Sequence, residues 1–306
     1  MNVGIVGICG FARFHAEAFE ALGWNVVAGA DRSEKLEETA ERFGARPYRD
    51  YQELLARDDL DAVSVSLPPV LHPQVVRAAV RRRIPVFCEK PIAPGAAEAR
   101  ALREELGEAK VMVGFSFRYN AAYLRLRELI RSGELGRIVS IHARKCWGTR
   151  TSWRLEPGGG AVFVKDIHYY DLIPWLLGEQ PAELCAFGGA LYRQAPVEDA
   201  YQLLMRFPGG TLFHLDSAWW TLPLAESRFE VVGDRARVSV EEDTLRIEGE
   251  GARVERPAGE QMVRAEIRAF VRWLAGEGER PPGLVEALEA NELAQKVRDC
   301  LEVGRG

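Results

Sequence analysis

No two of the five cysteines, Cys9, Cys88, Cys146, Cys185 and Cys300, stand in a CxxC spacing. The sequence therefore signals neither a zinc knuckle nor a local disulfide framework, no metal site is expected, and a reducing compartment suits it. It also has no run of 18 apolar residues, so an apolar membrane-spanning helix is excluded. The chain opens directly on the strand-like stretch Asn2 to Gly7, without a basic segment followed by a long apolar one, and a cytoplasmic location is expected. An excess of positive charge is missing as well: 40 Lys and Arg face 45 Asp and Glu, a formal net charge of -5. Nucleic-acid affinity needs clustered cations, so no nucleic-acid partner is expected, and Arg81 to Arg83 reads as a solvated helix end. There is no low-complexity tract and no internal repeat. What remains is a globular composition, 47% hydrophobic and 28% charged, in a chain of 306 residues. That length exceeds what one core usually supports, which predicts two domains.

Through the first 118 residues, short apolar runs alternate with segments of helical period. Val3 to Gly7 reads as a buried strand, Phe11 to Leu22 as a helix behind a glycine-rich turn, and Trp24 to Ala30 as a second strand ending at Asp31. Helices follow over 34–43 and 51–56, a strand from Ala62, a helix over 72–82, a strand over 86–88, a helix over 96–106 and a strand over 111–115. This α/β alternation implies right-handed crossovers and a doubly wound parallel sheet, a Rossmann domain, with its ligand crevice beyond the carboxyl ends of the strands.

The turn Gly7-Ile8-Cys9-Gly10-Phe11-Ala12 sits where a dinucleotide fingerprint G-x-G-x-x-G/A belongs. Cys9 occupies the second glycine position, with Gly10 one place later. Amides at the helix start still supply donors, and the positive end of the helix dipole, for a pyrophosphate. Asp31 is placed to accept hydrogen bonds from the adenosine ribose hydroxyls, which favours NAD, whereas neighbouring Arg32 keeps NADP open. Read alone, the same residues describe a tight turn and a surface carboxylate.

Cys88-Glu89-Lys90-Pro91, taken with this turn and His15, resembles the Gfo/Idh/MocA family of NAD(P)-dependent oxidoreductases. Leu67-Pro68-Pro69 followed by His72 looks like the loop after the family's fourth strand. Gly114-Phe115 through Arg118-Tyr119-Asn120 is similar to the segment closing its nucleotide domain. Trp153-Arg154 leading to Gly158-Gly159-Gly160, then His168 and Asp171, resembles its substrate-domain signature, and the similarity extends through Arg228 to Gly233. The resemblance implies a second α/β domain over 119–306 with a large, mainly antiparallel sheet often used for dimerisation, and a C-terminal helix packing back on the first domain. The local pattern agrees, with strands expected over 138–146, 184–191, 201–206, 211–218, 229–232, 237–240 and 245–248. Helices are expected over 121–131, 164–177, 262–275 and 284–301.

Oxidising an alcohol with nicotinamide requires a base for the hydroxyl proton and a cation for the developing oxyanion. The resemblance gives these catalytic roles to His168 and Lys90. Taken alone, a lysine at a strand end reads as a solvated loop residue, and a histidine at a helix start as a satisfied one. Cofactor contacts are expected from Gly7 to Ala12, Asp31, Arg32, Leu67, Pro68, His72, Glu89 and Lys90, and substrate contacts from Arg118, Trp153, Arg154 and His168. His15, His142 and His214 read as structural. Many members of the family carry Asp four residues before the catalytic His; Val164 stands there, and Asp166 or Asp171 is expected to orient the imidazole instead. The implied activity is hydride transfer between nicotinamide and a hydroxyl or carbonyl of a sugar, polyol or derivative. Redox-neutral chemistry on tightly held NAD, as in family-like glycosidases, and a nucleotide-binding sensor without turnover are the alternatives. A homodimer or homotetramer is expected, with Phe213, Trp219 and Trp220 contributing to an uncovered apolar sheet face.

Overall fold

Runs such as Ala62–Val65 and Val111–Gly114, buried at every position, suit strands of a parallel sheet covered on both faces. The computed structural model describes residues 1–148, 152–220 and 224–303, and the chain divides into one unit of residues 1–116 with 261–291 and a second of 117–260 with 292–306. In the first unit, β1 (Asn2–Val6), β2 (Asn25–Ala30), β3 (Arg46–Tyr48), β4 (Ala62–Val65), β5 (Val86–Glu89) and β6 (Val111–Gly114) form a six-stranded sheet in the order β3-β2-β1-β4-β5-β6. All five pairings are parallel. The connecting helices are α1 (Ala12–Ala21), α2 (Leu36–Arg42), α3 (Tyr51–Leu55), α4 (His72–Arg81) and α5 (Ala96–Leu106). In this unit sequence periodicity missed β3, a three-residue edge strand that contains Pro47 and is too short to show alternation.

Strand order reverses at β1, which lies between β2 and β4, so this unit's ligand crevice opens beyond the carboxyl ends of β1 and β4. Gly7 leaves β1 with φ +88, and a Cβ there would lie 2.0 Å from the Ser66 carbonyl oxygen. Only glycine fits this step.

The second unit is built on α6 (Ala121–Arg131), β7 (Ile138–Trp147), α7 (Ile167–Leu177), β8 (Glu183–Gly189), β9 (Ala200–Arg206), β10 (Leu212–Ala218), β11 (Ala225–Gly233), β12 (Ala236–Glu241), β13 (Thr244–Gly249) and β14 (Arg253–Glu255). Its eight strands run in the order β14-β13-β12-β11-β7-β10-β9-β8, with β7/β10 the one parallel pair among antiparallel neighbours. The ring of Tyr169 on α7 lies parallel to Phe229 at 6.2 Å and tilted against Phe213 at 6.3 Å, so α7 covers the apolar face of the sheet.

Alternation along β10 sends Phe213 and Leu215 inward and His214 and Asp216 outward. The outward face of β7, β10 and β11 is consequently polar, carrying His142, Arg144, His214, Asp216, Arg228 and Glu230 around an open groove. This corrects the part given to Phe213, Trp219 and Trp220, which are all buried, whereas Leu212 on β10 and Leu204 on the adjoining β9 are exposed. Trp220 packs with Cys146, Ala200 and Ala218, and its indole N–H donates to the Leu224 carbonyl at 2.8 Å.

Two last helices complete the chain, α8 (Met262–Leu274) and α9 (Leu284–Val303). On α8, Val263, Glu266, Ile267 and Phe270 are buried at helical spacing, and Phe270 meets Phe19 and Phe87 edge-on in the core of the first unit. Residues 284–291 of α9 belong to that unit too, where the Asn291 side-chain amide donates to the Ala93 carbonyl at 2.9 Å.

Candidate functional site

At the glycine-rich turn the backbone is largely committed to the protein. The Gly7 and Ile8 amides donate to the Ala30 carbonyl at 2.8 and 3.4 Å, and Gly10 donates back to Gly7 at 3.1 Å. Cys9 donates to Asp31 Oδ2 at 3.0 Å, while Asp31 Oδ1 accepts from the Ser33 amide at 2.9 Å. Asp31 thus locks the turn to the end of β2 and keeps its remaining lone pairs at the crevice. Cysteine is tolerated in place of glycine because Cys9 makes no positive-φ step, and a Cβ on Gly10 would make only an ordinary 3.6 Å contact. Among the described residues, the turn's donors left for a pyrophosphate are the Phe11 and Ala12 amides at the start of α1. Phe11 and, on the loop after the adjacent β4, Val70 are about half exposed, at 49% and 48%. Arg32 is exposed, and its carbonyl accepts from Arg49.

Glu89 and Lys90 leave the end of β5, next to β4. The Lys90–Pro91 peptide is cis, and the loop is tied down by His72, whose Nδ1–H donates to the Pro91 carbonyl at 2.7 Å while Nε2 accepts from the Leu67 amide at 3.3 Å. His72 is fully buried, so it joins the two loops from beneath rather than lining a cofactor surface. Burial lowers its pKa and so favours the neutral ring, and the two hydrogen bonds select its tautomer. Glu89 Oε2 accepts from the Lys90 amide at 3.2 Å, and Oε1 accepts from His15 Nε2 at the same distance. His15 Nδ1 is 2.9 Å from the Ser64 hydroxyl. Burial opposes ionisation of Glu89, but the His15 hydrogen bond and the positive charge of Lys90 outweigh it and hold the carboxyl below its usual range. Gly7, Asp31, Leu67, Pro68, Glu89 and Lys90 therefore all stand at one end of one sheet. His15, set aside as structural from sequence, is the buried link between that end and α1.

In the second unit the glycine triplet closes a tight path. A Cβ on Gly159 would lie 2.4 Å from the Arg154 carbonyl oxygen, and Gly160, at φ +92, would place one 2.2 Å from Glu198 Oε1. Glu198 accepts from the Val162 amide at 3.1 Å and from Arg298 at 3.2 Å, and Arg298 also donates to the Gly159 carbonyl at 2.7 Å. Trp153 and Arg154 lie in the turn just before this segment, with the Arg154 guanidinium 4.9 Å from the Trp153 ring centre. Residues Ala161–Lys165 then form one wide helical turn closed by the Asp166 amide on the Ala161 carbonyl at 3.0 Å, so α7 begins at Ile167 rather than Val164.

His168, in the first turn of α7, stacks on Phe117 with centroids 4.4 Å apart and planes 15° off parallel. The two carboxylates expected to orient it make strong bonds of their own. Both oxygens of Asp171 accept from Arg118, at 2.8 and 2.6 Å, in a pair that is almost wholly buried on the Asp side. Asp166 Oδ2 accepts from the Tyr201 hydroxyl at 2.8 Å and from Ser217, and Oδ1 has no hydrogen bond. Lys165 is also buried: its Nζ donates to the Lys145 carbonyl at 2.9 Å and lies 3.9 Å from Asp166, between the rings of Trp147 and Trp219. Burial pushes Lys165 down and Asp166 up, each toward its neutral form, against their mutual attraction. Sequence reasoning missed Lys165, Glu198 and Glu266. Glu266 had a readable signal, a carboxylate on an otherwise apolar helical stripe; Glu198 had none in its local sequence.

Residues 1–117 match the family described as "Oxidoreductase family, NAD-binding Rossmann fold", and residues 123–239 match the "GFO/IDH/MocA C-terminal domain". Among curated proteins, the chain is 31% identical to an inositol 2-dehydrogenase of Rubrobacter xylanophilus over 249 residues, 78% of this chain and 70% of that one. It is 31% identical to a 1,5-anhydro-D-fructose reductase of Ensifer adhaerens over 248 residues, 75% of this chain and 72% of that one. Among solved structures, it shares its fold with levoglucosan dehydrogenase in complex with NADH and levoglucosan, at a TM-score of 0.88 and 20% identity over 99% of this chain and 97% of that one. With both of its domains matched in order, and with relatives 31% identical over three quarters of its length, the chain belongs to the Gfo/Idh/MocA family of NAD(P)-dependent oxidoreductases.

Proposed function

We propose that the protein oxidises, and in reverse reduces, one ring carbon of a cyclic polyol or sugar, passing hydride to or from NAD. The observation that carries this reading is the gathering of Gly7, Asp31, Leu67 and Lys90 at the carboxyl end of one parallel sheet, in a chain whose 31%-identical relatives are an inositol dehydrogenase and an anhydro-sugar reductase. The Phe11 and Ala12 amides would hold the pyrophosphate and Asp31 the adenosine ribose, with exposed Phe11 and Val70 covering the dinucleotide's apolar surface. Asp31 favours NAD over NADP, because a 2'-phosphate would meet its charge. When bound, nicotinamide supplies the hydride acceptor; the remaining steps fall to the protein. Lys90 holds the substrate oxygen as negative charge develops, and His168, aligned by Phe117, takes its proton. Trp153 and Arg154 contribute substrate contacts. Arg118 acts through Asp171, fixing the first turns of α7, and is a positioning residue rather than a substrate ligand.

The polar face of the large sheet is the surface through which copies of the chain would pair as a homodimer or homotetramer. Among the described residues no helix is long and apolar enough to cross a membrane, consistent with a cytoplasmic enzyme. The test is nicotinamide absorbance at 340 nm, the ordinary NADH band, followed while inositols, anhydro-sugars, aldoses and 2-hydroxy acids are offered with NAD and with NADP. Turnover with cyclic polyols or sugars supports the reading, and turnover confined to 2-hydroxy acids refutes it.

A further inference from the structure

Glu266 projects from α8 into the core of the first unit with no exposed surface, and among the described residues neither of its carboxylate oxygens has a hydrogen-bond partner. One of its oxygens, one oxygen of Glu89 and one ring nitrogen of His15 lie within 4.8 Å of one another. Phe87 meets the His15 ring edge-on at 5.1 Å and Phe270 packs on Phe87, so the cluster is walled by aromatic rings. Two carboxylates so close in an apolar pocket cannot both ionise without a compensating charge. Glu89 is the one equipped for charge, since it accepts from His15 and from the Lys90 amide. Glu266 is equipped for none. The groups facing the pair are His15 on α1, Lys90 at the end of β5 and His72 on α4.

We propose that Glu266 and Glu89 share a single proton and together position Lys90: Glu266 holds the proton, which leaves Glu89 as the anion that grips the Lys90 amide and balances its ammonium. Only a proton is exchanged, between the two carboxyl groups, and no further reactant is needed. Burial pushes the Glu266 pKa well above the ordinary glutamate range, and the charge of Glu89 adds to this. As pH rises, release of the shared proton places a second negative charge opposite Lys90 and keeps its ammonium protonated further into the alkaline range. Glu266 is thus a positioning residue that acts through Glu89. This inference rests on Lys90 serving the hydride transfer proposed above.

The experiment uses the full-length protein with NAD bound. Infrared difference spectra between neutral and alkaline pH should show the carbonyl band of a buried neutral carboxylic acid, shifted in D2O. The band should be absent in Glu266→Gln, and in Glu89→Gln it should disappear at lower pH because the like charge is gone. Above the ordinary histidine range, where His72 no longer contributes a slope, the melting temperature of the wild type should fall as pH rises, since the folded state holds a proton that the unfolded chain has lost. Glu266→Gln should lose that slope. In steady-state kinetics, Glu266→Gln should bring the alkaline limb of kcat to lower pH by about one unit, with little change in KM for NAD. Absence of the infrared band from the wild type overturns the shared proton, as does a stoichiometric divalent ion found by metal analysis of the purified protein. A band that titrates as expected with an unmoved kcat profile overturns the link to Lys90 alone, and failure of all turnover while the band persists points instead to the functional reading.

Discussion

The two units hold their proposed reactive side chains in opposite ways. Around Lys90 the neighbours are tied to one another: His72 clasps Pro91 and Leu67, Glu89 grips the Lys90 amide, and His15 ties Glu89 to Ser64. Around His168 the pattern is broken. Val164 replaces the usual Asp, Lys165 and Asp166 are turned into a buried cluster with Tyr201 and Ser217, and Asp171 is consumed by Arg118. In the first unit the ties converge on one loop and hold it from beneath; in the second, the side chains flanking His168 are drawn into partnerships of their own. One reactive position is fixed by its neighbours in sequence, the other by groups far away in the chain.

Removing a carboxylate from each half shows whether that contrast is energetic as well as geometric. Asp171→Ala should have the largest effect, because it strands the Arg118 guanidinium beside a buried site; breaking such a pair costs about 3–5 kcal/mol, read as a loss of denaturation midpoint. If Asp171 were instead a partner of His168, stability would hold and only the pH profile of turnover would move. Gly160→Ala comes next, at about 1–3 kcal/mol, since alanine is strained at its positive φ and its Cβ would strike Glu198. An unchanged melting temperature in that variant would mean that the path through the glycine triplet is not as close as described.

These two sites also mark what could be read in advance. Strands and helices of both units were legible because burial imposes period two or 3.6 on the sequence, and the glycine triplet was legible because only glycine passes where Glu198 and the Arg154 carbonyl crowd the backbone. The partners were not. Asp171 lies one helical step from His168 in sequence, yet its side chain serves Arg118, 53 positions away. Glu198 and Arg298, which close the segment, stand 100 positions apart. Short-range spacing cannot report bonds whose partners only the fold brings together. Phe213, Trp219 and Trp220 misled for a related reason: large aromatics in a sheet announce burial, but not which face or which neighbour provides it.

Smaller effects separate the halves further. His72 is buried with a lowered pKa, so the unfolded chain takes up a proton on acidification that the folded chain refuses. The stability it supports is complete above the ordinary histidine range, about pH 6.5, and is lost as pH falls below it. Relative to His72→Gln, the wild type should therefore lose melting temperature as pH falls through that window, and a constant difference between the two would remove His72 as the source. The smallest effect is expected at Asp31. Asp31→Ser should weaken NADH binding by severalfold, on the order of 1 kcal/mol, and narrow its preference over NADPH, as measured by fluorescence titration of both cofactors. Tighter binding of NADPH than NADH by the wild type would overturn the cofactor assignment.

The proposal that Lys90 and His168 each carry a step of the hydride transfer is tested most directly by single-turnover hydride transfer with Lys90→Ala and His168→Ala once a polyol or sugar substrate is in hand. Each substitution should slow the transfer by on the order of a hundredfold or more while leaving NADH affinity close to that of the wild type, because the lost interactions are strongest in the transition state. Near-normal transfer in both variants would contradict the account.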